Sequence, residues 1–208
     1  MALTEQLMKE KIVAVIRADS MEEGYELAKA IIEGGIKAIE ITFTIPDAFK
    51  LIKRLNDTYK DQILLGAGTV LDLSSCKIAI DNGAKFIVAP GFEDHCAKYC
   101  YERNIPYMPG CMTVTEMLNA RKHHVEVIKL FPGDHFGPKF IKNIKAPLPK
   151  LKVMVTGGVD LDNLKEWFKY GADMVGIGSA LTNQKNSNDY LMVTKKAKEY
   201  KNALKDVA

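Results

Sequence analysis

A lysine stands in the middle of an otherwise apolar run, Val127-Ile128-Lys129-Leu130-Phe131. Strands of a parallel sheet are buried on both faces and normally read as continuous apolar stretches, so the charge is out of place. Side chains alternate across a strand, which puts Val127, Lys129 and Phe131 on one face and Ile128 and Leu130 on the other. The apolar pair must meet the covering helices, and Lys129 therefore points inward. The same alternation in Ala38 to Phe43 turns Ile39, Ile41 and Phe43 outward and leaves Ala38, Glu40 and Thr42 inside. In Ile12 to Arg17 it places Val13, Val15 and Arg17 on one side. Arg17, Glu40 and Lys129 are thus expected to converge from three strands. A structural ion pair filling the interior is one outcome, but desolvation makes buried pairs poor stabilisers. Clustered, perturbed ionisable groups point instead to chemistry. A lysine in a low-dielectric site beside a second cation loses its charged form, and the free amine can attack a carbonyl. Glu40 pulls the other way, which suits a group that moves protons during a reaction cycle.

Glycines mark a second feature. Thr156-Gly157-Gly158 and Gly176-Ile177-Gly178-Ser179 end two later strands, with Asp160 expected to cap the helix after the first. Glycine lets backbone N–H groups approach a phosphate closely, and the loops after strands seven and eight of (β/α)8 enzymes often form such a cradle. Ordinary tight turns are the alternative. Gly66-Ala67-Gly68-Thr69-Val70 is expected to bring bare backbone and a hydroxyl to the same rim, and Ala89-Pro90-Gly91 and Met108-Pro109-Gly110 to place rigid turns there; each could be loop chemistry alone.

The elements that must position these residues alternate regularly. Strands are predicted at 12–17, 38–43, 63–70, 86–90, 106–110, 127–131, 153–156 and 174–177. Helices are predicted at about 21–33, 47–59, from the third strand to Asn82-Gly83, 93–103, from about 113, 139–144, 161–170 and from about Asn188. The first stops at Gly34-Gly35, where two glycines fit a left-handed terminus. Eight strand–helix units imply parallel strands with helical crossovers and a closed α/β (β/α)8 TIM barrel, one domain over residues 1–208. A short N-terminal helix, residues 3–10, would cover its bottom. An open doubly wound sheet is the alternative, although no Gly-x-Gly-x-x-Gly follows the first strand.

Composition narrows the partners. The 208 residues are 47% hydrophobic, enough for one sizeable core, and the net charge of +3 is too small to imply a nucleic acid. The Lys-rich end (Lys195, Lys196, Lys198, Lys201, Lys205) reads as the solvated face of a last helix. Cysteines 76, 96, 100 and 111 show no disulfide spacing, which suits a reducing cytoplasm. Neither a signal peptide nor a membrane span is expected. Cys96 and Cys100 lie four apart beside His95, but a partly buried helix face explains them better than a metal clip. His123 and His124 suit a helix end, His135 a loop, and Trp167 and Phe168 helix packing.

Taken together, Ile39-Glu40-Ile41-Thr42, Gly66-Ala67-Gly68-Thr69-Val70, Ile128-Lys129-Leu130-Phe131-Pro132 and Thr156-Gly157-Gly158-Val159 occur in order across most of the chain. The combination resembles the family of 2-keto-3-deoxy-6-phosphogluconate (KDPG) and 4-hydroxy-2-oxoglutarate (KHG) aldolases, class I enzymes that use no metal or other cofactor. The resemblance implies that Lys129 is the Schiff-base lysine and Glu40 the general acid/base. It implies that Thr69 helps to hold the pyruvyl carboxylate, that Pro90 and Phe131 wall the imine, and that Gly157, Gly158, Gly178 and Ser179 bind phosphate. A phosphorylated keto acid and pyruvate would be the ligands, and the chain would form a homotrimer. In one branch of the family an arginine four residues beyond the glutamate contacts substrate; here Thr44 occupies that place. Arg17 is the expected substitute as carboxylate anchor. KDPG is the expected substrate, with KHG as a further one, and the galactonate-derived acid (KDPGal) is the alternative. A phosphosugar isomerase or epimerase barrel and a non-catalytic phosphate-ligand sensor are the rival functions; the first does not need an imine-forming lysine, and the second would bind its ligand without Lys129.

Overall fold

The computed structural model describes residues 2–183 and 189–206. Eight parallel strands run β1 (Ile12–Ile16), β2 (Ala38–Thr42), β3 (Leu64–Gly68), β4 (Phe86–Ala89), β5 (Tyr107–Cys111), β6 (Val127–Leu130), β7 (Lys152–Thr156) and β8 (Met174–Ile177). They pair in sequence order, and β1 closes on β8 through Val13 opposite Gly176. Around this barrel lie α1 (Leu3–Glu10), α2 (Met21–Glu33), α3 (Ala48–Tyr59), α4 (Leu73–Asp81), α5 (Asp94–Glu102), α6 (Val114–Lys122), α7 (Lys139–Lys145), α8 (Leu164–Lys169), α9 (Ser179–Thr182) and α10 (Tyr190–Ala203). The start expected for the last helix, Asn188, lies outside the described residues. Among the described residues no helix is long and apolar enough to cross a membrane.

Local chemistry sets several helix starts. Ser20 accepts from the Glu23 N–H, Glu93 from those of His95 and Cys96, and Thr113 with Glu116 forms a reciprocal capping box. Asp160 accepts from the N–H groups of Asp162 and Asn163, both at 3.0 Å, and so shapes the turn before α8 rather than capping the helix itself. Gly34 and Gly35 have different tasks. Only Gly35 is left-handed, at φ +92°; Gly34 is right-handed, and a Cβ there would lie 2.3 Å from that of Ala197. Its small size is needed where α2 meets α10.

Strand alternation divides the core into two shells. Outward residues such as Ile39, Ile41, Ile128 and Leu130 join the helices in a large buried cluster. Inside the barrel, Val13, Ala38, Phe86, Val88, Met108, Val127, Met154 and Met174 form a second cluster, closed below by Leu7 of α1. That plug fills the lower half. Above it the inward positions turn small or polar: Glu40 and Thr42 on β2, Gly66 and Gly68 on β3, Gly110 on β5, Lys129 on β6, Thr156 on β7 and Gly176 on β8.

The strands predicted over 63–70 and 106–110 hold through their glycines, and the turn also expected at Met108-Pro109-Gly110 is strand. Gly66-Ala67-Gly68 ends β3, and Met108-Pro109-Gly110 lies within β5. The reason is interior volume. A Cβ on Gly66 would stand 2.3 Å from the Phe86 ring, one on Gly68 would stand 1.9 Å from Glu40 Oε1, and one on Gly110 would strike the Pro90 carbonyl at 2.1 Å. These glycines make room for neighbours inside the barrel.

Candidate active site

Glu40 and Lys129 rise from β2 and β6 into the mouth above the apolar plug, and both are buried, at 1% and 4% exposure. Lys129 lies level with Gly110 on one side and Met154 on the other, so bare backbone flanks it towards β5. Its Nζ sits 4.7 Å from the centre of the Phe131 ring. Burial pushes the Lys129 ammonium below its ordinary range; Glu40 opposes that shift and Arg17 reinforces it. Burial pushes the Glu40 carboxyl up, against the pull of Lys129 and Arg17. Both groups are therefore moved towards neutrality, which brings an amine nucleophile and a proton-carrying carboxyl closer to working range.

Two buried oxygens here lack a hydrogen-bond partner: Glu40 Oε2 and Thr156 Oγ1. Such orphans are rare in folded interiors and call for an explanation. Sequence reasoning passed over Thr156, although the signal was present: alternation through Met154 turns this hydroxyl inward. Thr42, by contrast, is satisfied, donating to the Ile16 carbonyl at 2.9 Å and meeting the Thr44 hydroxyl at 2.8 Å.

Beside this pair a cavity of about 410 Å³ opens at the ends of β7 and β8. Arg17, Phe131, Gly157, Gly158, Gly178 and Ser179, all singled out from the sequence, line it together. Gly157 and Gly158 both have positive φ, +98° and +70°, and an added Cβ on Gly158 would stand 2.4 Å from that of Asp134. Arg17 lies one residue beyond β1 and is exposed. Its Nη1 is 3.2 Å from where a Gly178 Cβ would sit, so the guanidinium leans towards the glycine loops. Thr69 and Pro90 follow β3 and β4 and do not line this cavity. Thr69 is left-handed at φ +57°, a conformation that costs a non-glycine residue energy and is often found at functional sites.

Other candidates resolve differently. Cys96 and Cys100 face inward towards Cys76, with 3.6 Å between the Cys76 and Cys100 sulfurs, while His95 is exposed. The bond with Cys100 pushes the Cys76 thiol up to about 12, so it is a packing group rather than a reactive one. His124 stacks on Tyr101 at 4.1 Å, His123 tilts on Phe92 at 5.0 Å, and His135 is exposed. Trp167 is buried, and Phe168 packs half-buried against the core.

The family model for KDPG and KHG aldolase matches residues 3–196. A 2-dehydro-3-deoxy-6-phosphogalactonate aldolase of Escherichia coli strain K12 is 33% identical over 171 residues, 82% of this chain and 83% of its own. A 2-dehydro-3-deoxy-phosphogluconate aldolase of Treponema pallidum strain Nichols is 33% identical over 164 residues, 78% of each. Among solved structures, the KDPG aldolase of Legionella pneumophila, with pyruvate captured as a covalent carbinolamine, superimposes with a TM-score of 0.87 at 26% identity. That match covers 95% of this chain and 97% of the other.

Proposed function

We propose, on the premise that this chain belongs to the KDPG and KHG aldolase family and is a carbon–carbon lyase, that it cleaves KDPG through a Schiff base on Lys129. The observation that carries this is a buried lysine with its charged form disfavoured, paired across the barrel mouth with a buried glutamate. The Lys129 amine attacks C2 of the keto acid, and the resulting carbinolamine loses water to give a protonated imine. Glu40 takes the C4 hydroxyl proton, directly or through one water, and the C3–C4 electron pair moves into the imine. Glyceraldehyde 3-phosphate leaves and a pyruvate enamine remains. Protonation at C3 and hydrolysis release pyruvate and restore the amine. The pyruvate carbinolamine captured in the Legionella structure is the kind of adduct through which the last step, hydrolysis of the pyruvyl imine, would pass, which supports the assignment.

The substrate lies with its phosphate against Gly157, Gly158, Gly178 and Ser179 and its carboxylate near Thr69, with Pro90 and Phe131 enclosing the imine. Arg17 leans towards the glycine loops. We therefore assign it to the phosphate half of the substrate and to depressing the Lys129 pKa, in place of the carboxylate role expected from Thr44. Thr156 lines the same cavity, with its unpartnered hydroxyl buried beside Gly176. The E. coli relative favours KDPGal as a second substrate; the same constellation would process it and the unphosphorylated KHG.

Trapping tests the central claim. Incubation with pyruvate and borohydride is expected to add one reduced pyruvyl group, located by peptide mass mapping at Lys129. Absence of any adduct, or an adduct elsewhere, refutes it. Rates of pyruvate release from KDPG, KDPGal and KHG then rank the substrates.

A homotrimer in the cytoplasm completes the proposal. Leu71 and Ile78 beside α4, at 63% and 41% exposure, and Met112, Val114 and Leu118 at α6, at 40%, 38% and 42%, give two separate apolar surfaces. Two unlike patches suit a head-to-tail contact that closes into a ring. Sedimentation equilibrium is expected to give three times the chain mass, and a monomer or dimer mass counts against the ring.

A further inference from the structure

The cavity beside the glycine loops receives a cation from outside the barrel. Lys196 sits on α10, within the run that composition marks as a solvated face, yet it is half-buried and lines that cavity. Its neighbours behave otherwise: Lys195 and Lys198 are exposed, and Lys201 pairs with Glu10 at 3.2 Å. The Lys196 Nζ donates to the Asn183 carbonyl at 2.9 Å. That acceptor is neutral and uses one of the three ammonium donors, and among the described residues no carboxylate pairs with this ammonium. Asp160 also lines the cavity; its Oδ1 accepts from the Asp162 and Asn163 N–H groups, and among the described residues it forms no ion pair with Lys196. Backbone N–H groups of the glycine loops supply only partial charge, whereas a phosphomonoester carries nearly two full negative charges near neutral pH.

We propose that Lys196 is a specificity residue that binds the substrate phosphate and sets the preference for phosphorylated over unphosphorylated keto acids. The proposal rests on the aldolase assignment above. Together with Arg17 it gives the phosphate two full positive charges, one from the barrel rim and one from the last helix. Charge-assisted bonds of this kind are stronger than neutral ones, and loss of one weakens binding accordingly.

The test uses the full chain, inorganic phosphate as probe, and the variants Lys196→Met and Lys196→Arg. In Lys196→Met the phosphate dissociation constant is expected to rise roughly 10- to 50-fold. The ratio of kcat/KM for KDPG over that for KHG falls by about the same factor, mainly through KM for KDPG. Lys196→Arg recovers most of both. Equal loss on the two substrates would mean that Lys196 merely ties α10 to Asn183, and an unchanged phosphate affinity would mean that the cation plays no part; either overturns the proposal. If the wild type itself neither traps pyruvate nor binds phosphate, the aldolase reading has failed and this one falls with it. Normal trapping with phosphate binding indifferent to Lys196 sinks this inference alone.

Discussion

Replacing Lys129 with methionine is expected to abolish pyruvate release from KDPG, lowering kcat by roughly four orders of magnitude or more, because no imine can form. Lys129 is the amine that strand alternation turns into the barrel mouth, and it is 4% exposed. The variant should still fold. Methionine has a similar reach and is apolar, and it removes a buried ammonium whose charged form burial already disfavours. The change also removes Lys129 from the groups that pull the Glu40 carboxyl down, so Glu40 moves further towards its neutral acid. That shift lessens the cost of leaving Glu40 without its buried partner. Thermal melting is expected to show a cooperative transition, which separates loss of chemistry from loss of fold. Borohydride with pyruvate should leave no adduct. Lys129→Arg is the companion variant, retaining positive charge without a usable nucleophile, and it should be equally inactive. Turnover within tenfold of wild type in either variant would contradict the assignment.

How far this site was legible in the sequence follows from what strand alternation can and cannot encode. It fixes the face a residue occupies, so Glu40, Thr42 and Lys129 were turned inward correctly from apolar neighbours alone. It does not say where a long side chain leans once past the strand. Arg17 follows the inward face of β1, and its guanidinium leans to Gly178, a direction that only the neighbouring strand ends determine. Gly110 misled for a related reason. It reads as a turn residue in one dimension, whereas in the barrel it makes room for the Pro90 backbone, as Gly66 does for Phe86 and Gly68 for Glu40. Thr156 was hidden in a Thr-Gly-Gly turn signal, although its alternation with Met154 carried the information. Lys196 was illegible in principle. Helical spacing identified a basic stretch, but only the packing of α10 against the β8 end separates one lysine in a cavity from its exposed neighbours.

Glu40→Gln is expected to lower the rate of KDPG cleavage by about 10²- to 10⁴-fold, the usual contribution of a positioned acid/base, while leaving Lys129 able to trap pyruvate. The separation of these two effects distinguishes a proton-transfer role from a structural one. The pH dependence of trapping supplies a sign as well as a size. Trapping requires the free amine, so its midpoint follows the Lys129 pKa. Burial pushes that value down, Glu40 raises it and Arg17 lowers it. Glutamine removes the raising charge, so the midpoint should move to lower pH. Arg17→Met removes a lowering charge, and there the midpoint should move to higher pH. Gly68→Ala offers an independent route to Glu40: the new methyl would occupy the space of Oε1, 1.9 Å away, and must displace the carboxylate without changing its chemistry. Cleavage should therefore fall in Gly68→Ala as well, with trapping retained. A midpoint that rises in Glu40→Gln, or shifts the same way in Glu40→Gln and Arg17→Met, would show that the three groups do not act on one another through charge. Opposite shifts would establish that Arg17 and Glu40 set the amine against each other, with burial holding Lys129 low enough to react.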